Sequence, residues 1–202
     1  MIDLLAELAA IHREVAADAD DTVRVTVARS YPTTPADLWE AITDPERTKR
    51  WFLPLSGDLR VGGQFQLEGN AGGDILACEP PSLLRVTFGD VTSVVEVRLR
   101  ATGDEETHLE LRHHVPLALA GSVAGALFVG PGWDGALLML ARHTRDDDVA
   151  DPLAYAESPE VIEFNRGSID EWTTAVERAG TATADQVAQG REMSLAQFVP
   201  AK

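Results

Sequence analysis

Histidine is the side chain best suited to moving protons near neutral pH, and this sequence carries five, at positions 12, 108, 113, 114 and 143. No two stand four apart, the helical spacing that seats zinc, and no HExxH, CxxC or GxSxG pattern occurs. The glycine-rich stretch GNAGGD at 69–74 lacks the lysine that would meet a phosphate. Cys78 is the only cysteine, so an intrachain disulfide is excluded, and its place before Glu79-Pro80-Pro81 reads as small packing. Metal and nucleophilic catalysis have no motif behind them, and neither a metal nor a cofactor is expected. His113 is the one catalytic candidate.

The element that positions it is a hairpin. Ser93–Ala101 and Thr107–Val115 alternate apolar and polar residues around the turn Thr102–Glu106. With Arg100 opposite His108, Arg98 meets Glu110 and Glu96 meets Arg112 on the wet face, while Val95, Val97, Leu99, Leu109, Leu111 and His113 share the covered one. An imidazole turned inward needs a partner. It is held by backbone or helix-cap groups, or it orients a ligand or transfers a proton. His108 and His114 point outward into solvent.

The rest of the chain supplies a scaffold. Val23–Tyr31 alternates as a first strand, and Thr34-Pro35 starts a short helix that Asp44-Pro45 breaks and restarts up to Trp51 and Phe52. Short strands follow: one on either side of Gly62-Gly63, with Phe65 and Leu67 pointing inward, then Asp74–Cys78 and Leu83–Phe88. Trp133, Ala136, Leu137 and Leu140 make one stripe of a long helix starting at Trp133, where Asp134 reads as a charge favoured by the helix dipole. Beyond the acidic run at Asp146, Ser158-Pro159 caps a helix with a stripe of Val161, Phe164, Ile169, Trp172 and Val176, ending at Gly180. Thr183 and Gln186 open a last helix.

Length and charge bound the function. A chain of 202 residues with 45% hydrophobic and 25% charged residues folds as one compact domain with appendages. Lys+Arg 17 against Asp+Glu 33 gives a net charge of −16, which repels nucleic acid and anionic membranes. The first fifteen residues read as an amphipathic helix, with Asp3 and Glu7 where a signal peptide would be apolar, so cytoplasm is the expected compartment. Val115–Trp133 is uncharged but rich in Ala and Gly, with Gly130-Pro131-Gly132 inside it. It reads as a small-residue lid or loop and not as a membrane span.

Taken in order, PADLWEAITDPERTKRWF, GDLRVGGQFQLEGNAGG, CEPPSLLRVTF, THLELRHHV and GWDGALLMLA resemble the activator-of-Hsp90-ATPase-like branch of the START/Bet v 1 superfamily, from about Val23 to His143. Ser158, Trp172 and Ala179-Gly180 are similar to the tail of stand-alone bacterial members. The resemblance implies an α+β helix-grip fold: a curved antiparallel sheet of six to seven strands around a long C-terminal helix, with two short helices after strand 1. The expected organisation is an N-terminal helix over 1–20, the helix-grip domain over 21–145, and a helical extension over 146–202 packed on the domain or on a second copy of the chain as a homodimer.

The resemblance also implies a cavity for a small apolar molecule, lipid-like, aromatic or polyketide-like. Its expected lining is Trp51, Phe52, Phe65, Leu67, Phe88, Val97, Leu109, Leu111, His113, Trp133, Ala136, Leu137 and Leu140, with Trp51, Phe52 and Trp133 near one mouth. A cyclase or hydratase acting in that cavity and an Hsp90-activator-like protein-interaction module are the alternatives.

Overall fold

A computed structural model describes residues 3–200. Eight strands form an antiparallel sheet in the order β1-β2-β8-β7-β6-β5-β4-β3, and the α+β architecture with its long helix is the helix-grip arrangement. The chain divides into two compact units. One holds Ala28–His113 and Met139–Pro152; the other holds the chain up to Val27, His114–Leu138, and Leu153 onward.

The first of these units contains most of the sheet and the helix pair. Helix α2 (Pro35–Thr43) starts where the Thr34 hydroxyl accepts from the Asp37 amide, and Asp44 ends α2 while capping α3 (Pro45–Trp51) through the Glu46 amide, 2.8 Å away. The Trp51 indole donates to the Ala41 carbonyl at 2.9 Å and locks the two helices together. Strands β3 (Leu55–Gly57), β4 (Gln64–Leu67), β5 (Gly72–Glu79) and β6 (Leu83–Phe88) then follow as sequential neighbours. Gly73 is required where β5 meets β6, since a β-carbon there would lie 2.0 Å from the Thr87 carbonyl oxygen.

Strands β7 (Asp90–Gly103) and β8 (Glu106–Pro116) form the expected hairpin, and Val95, Val97, Leu99, Leu109, Leu111 and His113 are all buried, as period two requires. On the charged face Arg98 bonds Glu96 at 2.7 Å and Arg112 bonds Glu110 at 2.8 Å, so the short ion pairs run along each strand, while Glu110 also attracts Arg98 across the hairpin. Residues two apart share a face, and a long arginine side chain reaches that neighbour readily.

The other unit is where the sequence reading needs correction. Helix α1 covers only Leu4–Ala9, and His12–Asp18, expected as helix, is strand β1. It lies at the sheet edge beside β2 (Thr22–Tyr31), where pairing to a neighbour outweighs a helical preference worth a few tenths of a kcal/mol per residue. The small-residue run is also largely helical: α4 (Leu117–Ala120), a short 3-10 turn at Val123–Gly125, and then α5 (Ala126–His143), which begins seven residues before Trp133 and carries Pro131 inside it. It is therefore neither lid nor loop. Alanine favours helix, and the glycines serve close packing: a β-carbon on Gly125 would meet the Ala120 carbonyl oxygen at 2.5 Å. Val123–His143 is long and apolar enough to cross a membrane, but 61% of its apolar eighteen-residue window is buried within the protein.

The tail packs inside this unit. After the short α6 (Pro152–Ala156), helix α7 (Pro159–Ala179) is capped by Ser158 and closed by Gly180 at φ 71°. Its stripe of Val161, Phe164, Ile169, Trp172 and Val176 is buried in its own chain, so that face is not left for a second copy. Helix α8 (Ala184–Phe198) opens with the expected capping box of Thr183 and Gln186, and Asn165 of α7 donates to the Phe198 carbonyl at 3.0 Å.

Candidate functional site

Strand β8 turns His113 onto the apolar face of the sheet, where it is 3% exposed. Its Nε2 lies 2.8 Å from the hydroxyl of Ser93 on β7, itself 5% exposed. A buried serine and histidine so joined answer each other's desolvation, which an isolated polar group among valines and leucines could not do. Phe88 stands edge-on to the imidazole with centroids 5.7 Å apart, and Phe65 stacks on Phe88 at 6.3 Å. The result is a polar pair set against an aromatic wall.

The backbone beside Ser93 is irregular. Strands β6 and β7 pair Val86 with Val95 and Thr87 with Val94, then slip, so that Phe88 pairs with Asp90. Residues 91–93 thus have no register partner on β6. Such bulges re-aim side chains and break a ladder locally, and they gather beside functional sites.

The expected lining falls in both units. Trp51, Phe65, Leu67, Val97, Leu109, Leu111 and Leu140 are buried in the unit that holds the Ser93–His113 pair. Phe52 and Phe88 are half-buried there, and Phe52 stacks on Trp51 at 5.3 Å. Trp133, Ala136 and Leu137 belong to the other unit. The last two are buried, and Trp133, half-buried, stands inside α5 and not at its start. His108 and His114, expected in solvent, are half-buried, and His114 lies 3.6 Å from Asp18.

Two polar clusters went unrecognised in the sequence. The first surrounds Asp134, which is the ninth residue of α5 and 0% exposed, so it is no helix-terminal charge. One carboxylate oxygen, Oδ2, accepts from Arg13 Nε at 2.8 Å, from Ser168 at 2.6 Å and from the Trp172 indole at 3.1 Å, while Oδ1 has no partner. Burial raises its pKa to about 6 against the opposing pull of Arg13. In the second cluster, His143 Nδ1 meets Asp148 at 2.8 Å, and Arg47 reaches His143 Nε2 at 3.4 Å and Asp37 at 2.7 Å. The guanidinium holds the Asp37 carboxyl below its ordinary range, helped by the Thr33 hydroxyl. With both imidazole nitrogens engaged, this cluster fastens α3 to the end of α5.

Ser93 was legible in principle, because it shares the parity of Val95 and Val97 on the inward face. Its bond to His113 depends on tertiary pairing, which no local pattern encodes. Among the described residues no three His, Cys, Asp or Glu side chains come together as a metal site.

The sequence profile described as Activator of Hsp90 ATPase homolog 1-like protein matches residues 32–144. The crystal structure of CalU16 from Micromonospora echinospora is 33% identical, the similarity covering 83% of this chain and 99% of that one with a TM-score of 0.67. The solution structure of CalU16 gives 34% identity, 84% and 97% coverage, and a TM-score of 0.69. DynU16, from the dynemicin biosynthetic locus, is 29% identical over 64% of this chain and 49% of its own, with a TM-score of 0.52. No curated protein matches the chain.

Proposed function

Because the chain belongs to the family described as Activator of Hsp90 ATPase homolog 1-like protein, whose fold typically binds ligands, we propose that it binds a small hydrophobic molecule on the apolar face of its sheet. The observation that carries the reading is the buried Ser93–His113 hydrogen bond beside Phe65 and Phe88. Ligand sites are apolar surfaces with a few convergent polar groups, and this face has that composition. The similarity to DynU16, a putative protein in the dynemicin biosynthetic locus, supports a small molecule of a biosynthetic route as the ligand. The lone cysteine and strong negative charge support a cytoplasmic protein that avoids nucleic acid and anionic membranes.

The same hydrogen bond favours one second reading, an enzyme of the cyclase or hydratase type in which His113 moves a proton. Native mass spectrometry of protein purified from its own host tests both. A co-purifying small molecule supports the binding reading, and its slow conversion in the isolated complex supports the enzyme. Repeated recovery of protein free of any small molecule, with no uptake of apolar dyes, would count against both.

A further inference from the structure

The polar pair on the sheet face also defines what kind of ligand fits it. Resting on the ligand-binding reading above, we infer that Ser93 is the hydrogen-bonding contact for an uncharged aromatic ligand bearing a hydroxyl group, with His113 as the positioning residue behind it. A serine hydroxyl carries one donor and two acceptor sites, and its 2.8 Å bond to His113 Nε2 uses one of them. If Nε2 accepts the serine proton, the serine oxygen is left as an acceptor. If Nε2 carries the proton, the serine O–H is left as a donor. A ligand hydroxyl is both donor and acceptor and matches either tautomer, whereas a carbonyl matches only the second.

The surroundings select the rest of the molecule. Phe65 and Phe88 stack on each other with centroids 6.3 Å apart, an aromatic cluster that a flat aromatic body would extend, and Phe88 also meets the imidazole edge-on at 5.7 Å. The flanking residues Val86, Val95 and Leu111 are buried and apolar, so a charged group brought among them loses its hydration with nothing to replace it. Ser93 points inward with Val95 and Val97, and the break in the β6–β7 register at residues 91–93 leaves it without a β6 partner opposite it.

Equilibrium dialysis of the full chain at pH 7 against 2-naphthol, 2-methoxynaphthalene and naphthalene tests this. The expected result is that 2-naphthol binds roughly fivefold more tightly than naphthalene, the equivalent of one net hydrogen bond, and that the methyl ether loses the gain. Ser93→Thr, which keeps the hydroxyl, should retain the preference, and Ser93→Ala should abolish it while naphthalene still binds. Because Ser93→Ala removes a hydroxyl bonded to the buried imidazole, the wild-type comparison of the three probes stands on its own if that variant fails to fold. Equal binding of 2-naphthol and naphthalene, or a preference that survives Ser93→Ala, overturns the inference and leaves the ligand-binding reading intact. Failure of all three probes to bind overturns that reading as well.

Discussion

The Trp172 indole lies against Gly130 so closely that a β-carbon on the glycine would stand 2.4 Å from the ring atom Cε2. The segment Gly130-Pro131-Gly132-Trp133-Asp134 is thus a seat for the tail: glycine admits the ring, and Asp134, four residues on, takes its indole proton at 3.1 Å. Elsewhere in a helix, glycine to alanine is a gain of up to about 1 kcal/mol. Here the sign should reverse. Gly130→Ala is expected to cost about 1–3 kcal/mol by overpacking and to shift the tryptophan emission, measured by urea unfolding and steady-state fluorescence. An unchanged or raised stability would show that the ring does not occupy this position.

Asp134 predicts a pH dependence of definite sign. Burial raises its folded pKa to about 6 from an ordinary 3.8, with Arg13 pulling the other way. Above pH 6 the carboxylate is charged in both folded and unfolded chains. Between about 6 and 3.8 the folded chain binds the proton first, so this group's contribution to stability rises as pH falls. Wild type should therefore gain on Asp134→Asn between pH 7.5 and pH 4.5, by up to about 2 kcal/mol, because at pH 4.5 most but not all of the shift is expressed. Other titrating groups cancel in that difference. A change of the opposite sign would mean that the attraction to Arg13 outweighs burial.

The hairpin's charges give a smaller effect. Glu96 pairs with Arg98 at 2.7 Å on a face where the arginine side chain is 53% exposed, so water and salt screen the pair and it contributes little. A double-mutant cycle on Glu96 and Arg98 should give a coupling larger than the one between Glu96 and Arg112. The reverse order would restore the cross-strand pairing.

Removing the tail should expose what it covers. Truncation after Ala150 takes away Phe164, Ile169 and Trp172 together with two of the three donors to Asp134. The shortened chain is expected to melt lower and to self-associate, read by thermal denaturation and light scattering, because it presents an apolar face with a poorly satisfied charge at its centre. A truncated protein that stays monomeric and equally heat-stable would refute the packing.

How much of this was legible depends on the range of the interaction. The inward set Val95, Val97, Leu99, Leu109, Leu111 and His113 follows from period two. The caps at Thr34, Ser158 and Thr183 follow from the bonds a side chain makes three residues on, and the stripe on α7 from period 3.6. Strand β1 was not legible, because only Val15 of its seven residues is buried, so it carries little alternation, and pairing with β2 decides it. The start of α5 was hidden by glycines and a proline that local rules assign to loops. Asp134 and Ser93 were visible as residues but not as sites. Their partners, Arg13, Ser168 and Trp172 for one and His113 for the other, lie 20 to 121 positions away in sequence.

The slip between β6 and β7 has a consequence for motion. Residues 91–93 have no register partner on β6, and Val91 is 75% exposed, so hydrogen exchange at Val91 should be faster than at Val95 and Val97 on the same strand. The stretch of β7 that opens at the lowest free energy is then the one ending at Ser93. An otherwise well-packed sheet would yield first beside its buried hydroxyl, while the core that holds the histidine stays closed.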